Sequence, residues 1–491
     1  MFSLFSSGTF DNVTLARALT ETTLAFHIIF AVLGVGVPLF VSLAEWIGIR
    51  RNDPHYVLMA RRWSRGFTIT VAVGVVTGTA IGLQLSLLWP SFMRVAGQAI
   101  ALPLFMETFA FFIEAIFLGI YLYTWDRFKR PLYHWLLSLP VVFGSLASAV
   151  FITSVNAFMN TPTGFDLVDG QIVNVRPLAA MFNPATPSKV SHFLFAIYVT
   201  TAFILAAIAA LAMLRGRVHI YYRKALKLTM VCAFVFALFT IVNGDLSGKF
   251  LAKHQPEKLA AAEWHFETRR QAPLVFGGFL DKETQEVKGA ITIPYALSIL
   301  AGTHPNTEVV GLNDFPRDEW PPLYVHYLFD SKVVNGFYLI VVSGVFVGWY
   351  LRKVRKRRKV TRRDQATDRD LGARDASLDE ADIRRAPAVP KWLLWAIAVG
   401  GPLAMLTIEL GWIFAEVGRQ PWVLRGIMRT GEGATTADNV GTVFLAFVLL
   451  YLVLGIITVV ILRRMFKNNP AEKELSERAE RGKIREEEQW R

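Results

Sequence analysis

The sequence predicts an all-α integral membrane protein with nine transmembrane helices, its N-terminus outside and its C-terminus cytoplasmic. A long outer loop joins helices six and seven. Three observations carry this. Of 491 residues, 53% are hydrophobic and only 19% charged, and mean hydropathy is +0.38. The apolar residues fall in blocks near the ~20-residue length that crosses a bilayer as a helix. Lys and Arg gather at alternate block ends.

The blocks cover about 22–49, 67–89, 100–125, 135–159, 192–214, 226–242, 333–350, 392–414 and 440–460. Arg50 and Arg51 follow the first, DRFKR the third, RGRVHIYYRK the fifth, LRKVRKRRKVTRR the seventh and RRMFK the ninth. All five clusters lie on one side, which the positive-inside rule makes cytoplasmic. The net charge of +13 is therefore a topology signal, and no nucleic-acid partner is expected. The lone cysteine, Cys232, excludes an internal disulfide framework and cysteine-based metal centres. No basic n-region precedes an apolar segment, so no removable signal peptide is expected.

Four regions follow. Residues 1–242 hold the first six helices. Residues 243–332 form the outer loop, too long to be structureless, and so a small folded module or a lid. Residues 333–466 hold the last three helices with a cytoplasmic linker at 351–390. Residues 467–491 form a charged cytoplasmic tail, read as a helix without a core face.

Several polar residues inside these spans need a reason. His27 lies in LAFHIIFAVLGVGVPLF and His192 in VSHFLFAIYVTTAF. Each alone could be a satisfied core histidine. Two at one depth point to haem axial ligation, and without a Cys-x-x-Cys-His motif any haem is held non-covalently. Glu107 and Glu114, in PLFMETFAFFIEAIFLG, are seven residues apart on one helical face. A single buried carboxylate could be a helix–helix hydrogen bond. Two in a row read as proton-path steps or haem-site acids, with Ser145, Ser148, Ser154 and Asn156 able to extend the path. Gly74, Gly78 and Gly82 recur every four residues, allowing close approach of a neighbour or a flat cofactor, while Gln84 has no visible partner. In GWIFAEVGRQPW, Glu416 and Arg419 share one helical turn, as interface anchors or as a charge pair engaged by a ligand.

Taken in order, these stretches, with GDLSG and EKLAAAEW between them, resemble subunit I of the cytochrome bd family of quinol oxidases. The resemblance runs from about 15 to 466. It implies three haems near the outer face: two haem b plus a haem d or a third haem b. His192 then looks like an axial ligand of the low-spin haem, and His27 and Glu416 like ligands of the two high-spin haems. Glu107 and Glu114 look like the acids that handle protons. Trp412 looks like the aromatic residue between haems, and Arg419 like the partner of a haem propionate. Lys258 and Glu263 look like residues of the site for ubiquinol or menaquinol. The implied activity is quinol oxidation at the outer face and reduction of oxygen to water with protons from the cytoplasm, electrogenic without pumping. The implied partners are a second, haem-free membrane subunit and a small single-helix accessory subunit.

Two features depart from the family pattern. Where the low-spin haem normally takes a methionine, LFDSKVVNGF places Lys332 at the basic position and Val334 at the methionine position. Valine cannot ligate iron, and His326 and Asn335 are the nearby polar residues. The Glu107–Glu114 spacing is also one residue shorter than the common pattern. Both suggest a variant branch carrying haem b in place of haem d. Two other readings stay open: a haem protein passing electrons from quinol to another carrier without reducing oxygen, and an ion-coupled transporter.

Overall fold

The computed structural model describes residues 11–217, 219–365, 389–478 and 480. Among the described residues, nine helices are long and apolar enough to cross a membrane. They are α1 (Asn12–Arg51), α2 (Pro54–Leu88), α3 (Pro90–Tyr123), α4 (Pro131–Asn160), α5 (Thr186–Leu214), α6 (Ile220–His254), α7 (Val325–Gln365), α8 (Lys391–Val417) and α9 (Val440–Asn468). Their starts obey capping chemistry. Asp11 accepts from the Thr14 amide at 3.0 Å to cap α1, and Pro54, Pro90 and Pro131 open α2, α3 and α4, where a missing N–H costs nothing. Between α1 and α2 only Asn52 and Asp53 make the turn, Asn52 in the left-handed conformation (φ 48°).

The helices pack as neighbouring pairs α1–α2, α3–α4 and α5–α6, with α8 lying between α5 and α7. Close approach depends on small residues. A Cβ at Gly36 would fall 1.8 Å from the Thr201 hydroxyl, so α1 and α5 touch there. The largest core, including Phe40, Phe203 and Phe346, fills the half of the bundle nearer the arginine clusters. That half is called here the basic end.

Several helices outrun their apolar blocks, and two of them do so into the long outer connection. The hydropathy block predicts that the sixth ends near 242, yet α6 continues to His254, so NGDLSG is helical. Asn243, Ser247 and Gly248 face protein rather than water, while Asp245 is exposed. Ser191 donates to Asn243 at 2.5 Å, Ser188 and Ser247 hydroxyls lie 2.9 Å apart, and Gly248 sits beneath Leu300. Likewise α7 starts at Val325, eight residues before its block. The connection thus shrinks to 255–324. It is a folded module: a short helix Pro256–Ala262, Leu274–Phe276 paired with Ile291–Ile293, Phe279–Leu280 paired with Val287–Lys288, and a second helix Ala296–Gly302. Leu259, Ala272, Leu297, Ala301 and Val309 give it its own core. The bundle end that carries it is the module end.

The tail is also different from expectation. Residues 471–478 are helical, Ala471 is fully buried in the main core and Leu475 packs on it. Glu474 pairs with both Arg62 and Arg65 of α2. A segment that reads as charged throughout has a core face because Ala471 and Leu475 are four apart. Glu474→Ala should release this segment, seen as faster tryptic cleavage within it in the detergent-solubilised protein. Residues 366–388 of the expected linker and 479 and 481–491 of the tail lie outside the described residues.

Candidate functional site

The last turn of α8 brings Glu416 to a nest of charges at the module end. Its Oε1 accepts from Asn156 of α4 at 2.6 Å and from Arg419 Nη1 at 3.4 Å, while Arg419 Nη2 pairs with Oε2. Arg419 Nε also donates to the Trp422 carbonyl at 3.3 Å. Lys189 of α5 donates to the other side of Asn156 at 2.5 Å. Lys258, from the short module helix, donates to the Ala415 carbonyl at 3.0 Å, and Gly418 leaves room for its stem, since a Cβ there would lie 2.6 Å from Lys258 Cε. The ammonium groups of Lys258 and Lys332 stand 5.0 and 3.7 Å from the Phe414 ring centroid. Three basic side chains, Arg419, Lys189 and Lys258, therefore gather around one carboxylate, which suits a site that takes further anionic groups. Burial, with Lys189 and Arg419 nearby, pushes Lys258 well below the usual lysine range.

Glu263 follows the same module helix. It is 0% exposed, and neither carboxylate oxygen has a hydrogen-bond partner. Burial first, then the Asp330 carboxylate, holds it well above the usual carboxylate range, with Lys332 opposing. Lys332 is thus the common neighbour of Lys258 and Glu263. His326 is committed elsewhere: Nδ1 lies 2.7 Å from the Ala262 carbonyl, Nε2 3.2 Å from that of Gly277, and the ring stacks on Trp264 at 3.8 Å. It has no nitrogen left for iron. Val334, at the expected methionine position, is 46% exposed.

The other expected residues lie within the bundle. His27 Nδ1 is 2.9 Å from the Thr77 hydroxyl, which leaves Nε2 for another partner. Gly78 faces this imidazole, with a Cβ there 3.2 Å from its Cε1, and a Cβ at Gly82 or Gly411 would meet nothing within 4 Å. His192 Nδ1 and the Trp412 indole nitrogen are buried without partners, and Trp412 meets Phe193 edge-on at 5.1 Å. Ser148 donates to Glu107 at 2.9 Å. Glu114 is buried where α4 presses on its backbone at Gly144, whose Cβ would sit 2.8 Å from the Glu114 nitrogen. Of the expected path extension only Ser148 reaches one of the two acids of α3, Glu107. Ser145 and Ser154 bond carbonyls of their own helix, and Asn156 serves Glu416. Gln84, which lacks a partner in sequence, donates to Thr23 of α1 at 2.9 Å.

Among the described residues no three His, Cys, Asp or Glu side chains gather around a bare ion. A haem iron needs only one or two axial side chains. The unpartnered nitrogen of His192, the open Nε2 of His27, the open space beside Gly82 and Gly411, and the surplus of cations near Glu416 fit such a group and its acidic arms. Glu416 retains lone pairs despite Arg419 and Asn156. Sequence reading passes over Lys189 and Asp330, and also Glu409, whose buried Oε1 has no partner. Glu409 lies seven residues before Glu416, the same spacing that flags Glu107 and Glu114.

Comparison with known proteins agrees with this arrangement. The family model described as cytochrome bd terminal oxidase subunit I matches residues 15–470. A Bacillus subtilis protein described as a putative cytochrome bd menaquinol oxidase subunit I is 43% identical, over 95% of this chain and 99% of its own. A second, the cytochrome bd ubiquinol oxidase subunit 1 of the same organism, is 27% identical over 93% and 94%. Among solved structures, a chain of the bd oxidase from Geobacillus thermodenitrificans superimposes with a TM-score of 0.83 at 57% identity, covering 94% of this chain and 99% of that one. These relatives place the chain as a multi-pass protein of a bacterial cell membrane and support a quinol-oxidising, oxygen-reducing oxidoreductase function. The chain belongs to the family of cytochrome bd terminal oxidase subunit I.

Proposed function

We propose that the module end faces outward, that quinol is oxidised there between Lys258 and Glu263, and that protons for water formation enter from the basic end. The observation that carries this is Glu263, a fully buried carboxylate with both oxygens unpartnered and with Lys332 a neighbour of both it and Lys258. Such a group suits accepting a proton from a quinol hydroxyl, while the Lys258 cation stabilises the oxygen left negative. The substrate is menaquinol or ubiquinol, the first being the one named for the relative at 43% identity.

His192, His27 and Glu416 would hold haem iron, and Arg419 with Lys189 its propionates, with Trp412 between the rings. Three haems are expected: two haem b and a haem d or a third haem b. Bound haem would supply electron carriage and the iron at which oxygen is reduced. With Val334 unable to ligate and His326 committed to backbone carbonyls, His192 is the one assigned protein ligand of the low-spin haem.

Glu107 and Glu114 would hold protons on their way to oxygen. Uptake at one face and release at the other charges the membrane without a pump. A second membrane subunit would cover the exposed apolar faces, with a single-helix accessory subunit beside it. The test is quinol-driven oxygen consumption by the purified complex together with its reduced-minus-oxidised spectrum. Quinol oxidised only with an added electron acceptor, and no oxygen consumed, would favour a plain electron carrier. Glu114→Gln should slow oxygen reduction by about a hundredfold with haem content near normal. Loss of all high-spin haem in that variant would make Glu114 structural instead.

A further inference from the structure

Glu45, near the basic end of α1, is 2% exposed and has no part in the site above. Its Oε2 accepts from the Tyr121 hydroxyl of α3 at 2.6 Å, and its Oε1 lies 2.5 Å from His134 Nδ1 of α4. The other ring nitrogen, Nε2, is 2.9 Å from the Tyr121 carbonyl. All three side chains are buried. Burying a carboxylate and an imidazole here is offset by their mutual contact and by Tyr121, and polar ionisable groups at such depth also serve as steps of proton relays.

The position of Tyr121 supplies the use. Glu107, Glu114 and Tyr121 follow one another at intervals of seven, so α3 carries three protonatable groups on one face over about 21 Å. Between Tyr121 and Glu114 the hydroxyls of Ser42 and Ser138 lie 2.8 Å apart. Beside them is a void of about 10 Å³ lined by Ser64, Tyr121 and Ser138, with Leu118 and Val141 on the Glu114 side. It is at the lower size limit for one water and its open surface is apolar, so the polar groups in this gap are the Ser42 and Ser138 hydroxyls. Towards the bundle end, the His134 ring lies tilted against Trp125, centroids 4.2 Å apart. The Arg61 guanidinium lies 4.5 Å from the centroid of that indole and pairs with Asp126.

We propose that Glu45, held by His134 and Tyr121, is the proton-loading group at the basic end, passing protons along the α3 face to Glu114. Only a proton moves. It leaves water, resides on the Glu45 carboxyl and continues through the hydroxyls to the Glu114 carboxylate, while the electrons come from quinol. This rests on the oxidase reading above.

The test uses the complete complex in vesicles with a pH-sensitive dye on the basic-end side. Glu45→Gln keeps the shape of the side chain but cannot carry the proton. It should lower both oxygen consumption and proton uptake at least about tenfold, with haem content and spectrum unchanged. Tyr121→Phe removes one hydroxyl, keeps the Glu45–His134 contact and should slow both rates in the same sense. Normal uptake in Glu45→Gln, or a rate loss that merely follows haem loss, overturns the proposal. If Glu45→Gln does not assemble, Tyr121→Phe decides: slow uptake with normal haem supports the route, and normal uptake overturns it. A wild-type complex that consumes no oxygen would instead overturn the oxidase reading, whatever the variants do.

Discussion

Glu263→Gln in the assembled complex should lower quinol-driven oxygen consumption by about two orders of magnitude, with the haem spectrum intact. Glutamine has nearly the same shape, and neither oxygen of Glu263 holds a partner, so the substitution breaks no hydrogen bond of the fold. What it removes is the proton acceptor. The pH profile adds a second readout. Glu263 is held well above the usual carboxylate range by burial and by Asp330, so its base form grows in only as pH rises beyond where an ordinary glutamate has ionised. Lys258 is held well below the usual lysine range by burial and by Lys189 and Arg419, so its cation is lost early as pH rises further. Wild-type kcat/KM for quinol should therefore climb, pass through a maximum and fall. The variant should lose the climbing limb. Wild-type rates in Glu263→Gln would place the acceptor elsewhere.

His192→Ala should remove the low-spin haem band and reduce extracted haem b by one equivalent per complex. Because His192 Nδ1 is buried and unpartnered, deleting the ring strands no other polar group and should leave the bundle assembled. The haem would have no second protein ligand in reserve, since Val334 has no lone pair to offer and both nitrogens of His326 are taken. The loss should be complete rather than partial. A retained low-spin band would move the ligand to another residue.

The nine spans are legible because a bilayer demands long apolar stretches, and few other structures use them. Helix ends are not, where polar residues face a neighbour instead of water. Asn243, Ser247 and Gly248 read as a loop but pack on α5 and the module. Of the candidate site, His27, Glu107 and Glu416 stand out as polar groups in apolar runs. Lys189 does not, because its value comes from α4, α5 and α8 meeting at Asn156. Gln84 needed Thr23 from sixty-one residues away. Such partners are set by packing, which periodicity along one helix does not encode.

The unbroken course of α6 to His254 makes the module a load carried on a rod rather than a flap on a hinge. Lys258 and Glu263 start within a few residues of that rod's tip, so their distance from α8 is fixed by helical pitch. Inserting one residue between Asn243 and His254 would turn everything beyond it by about 100° and lift it about 1.5 Å. Such an insertion should silence quinol oxidation while every residue of the site remains present.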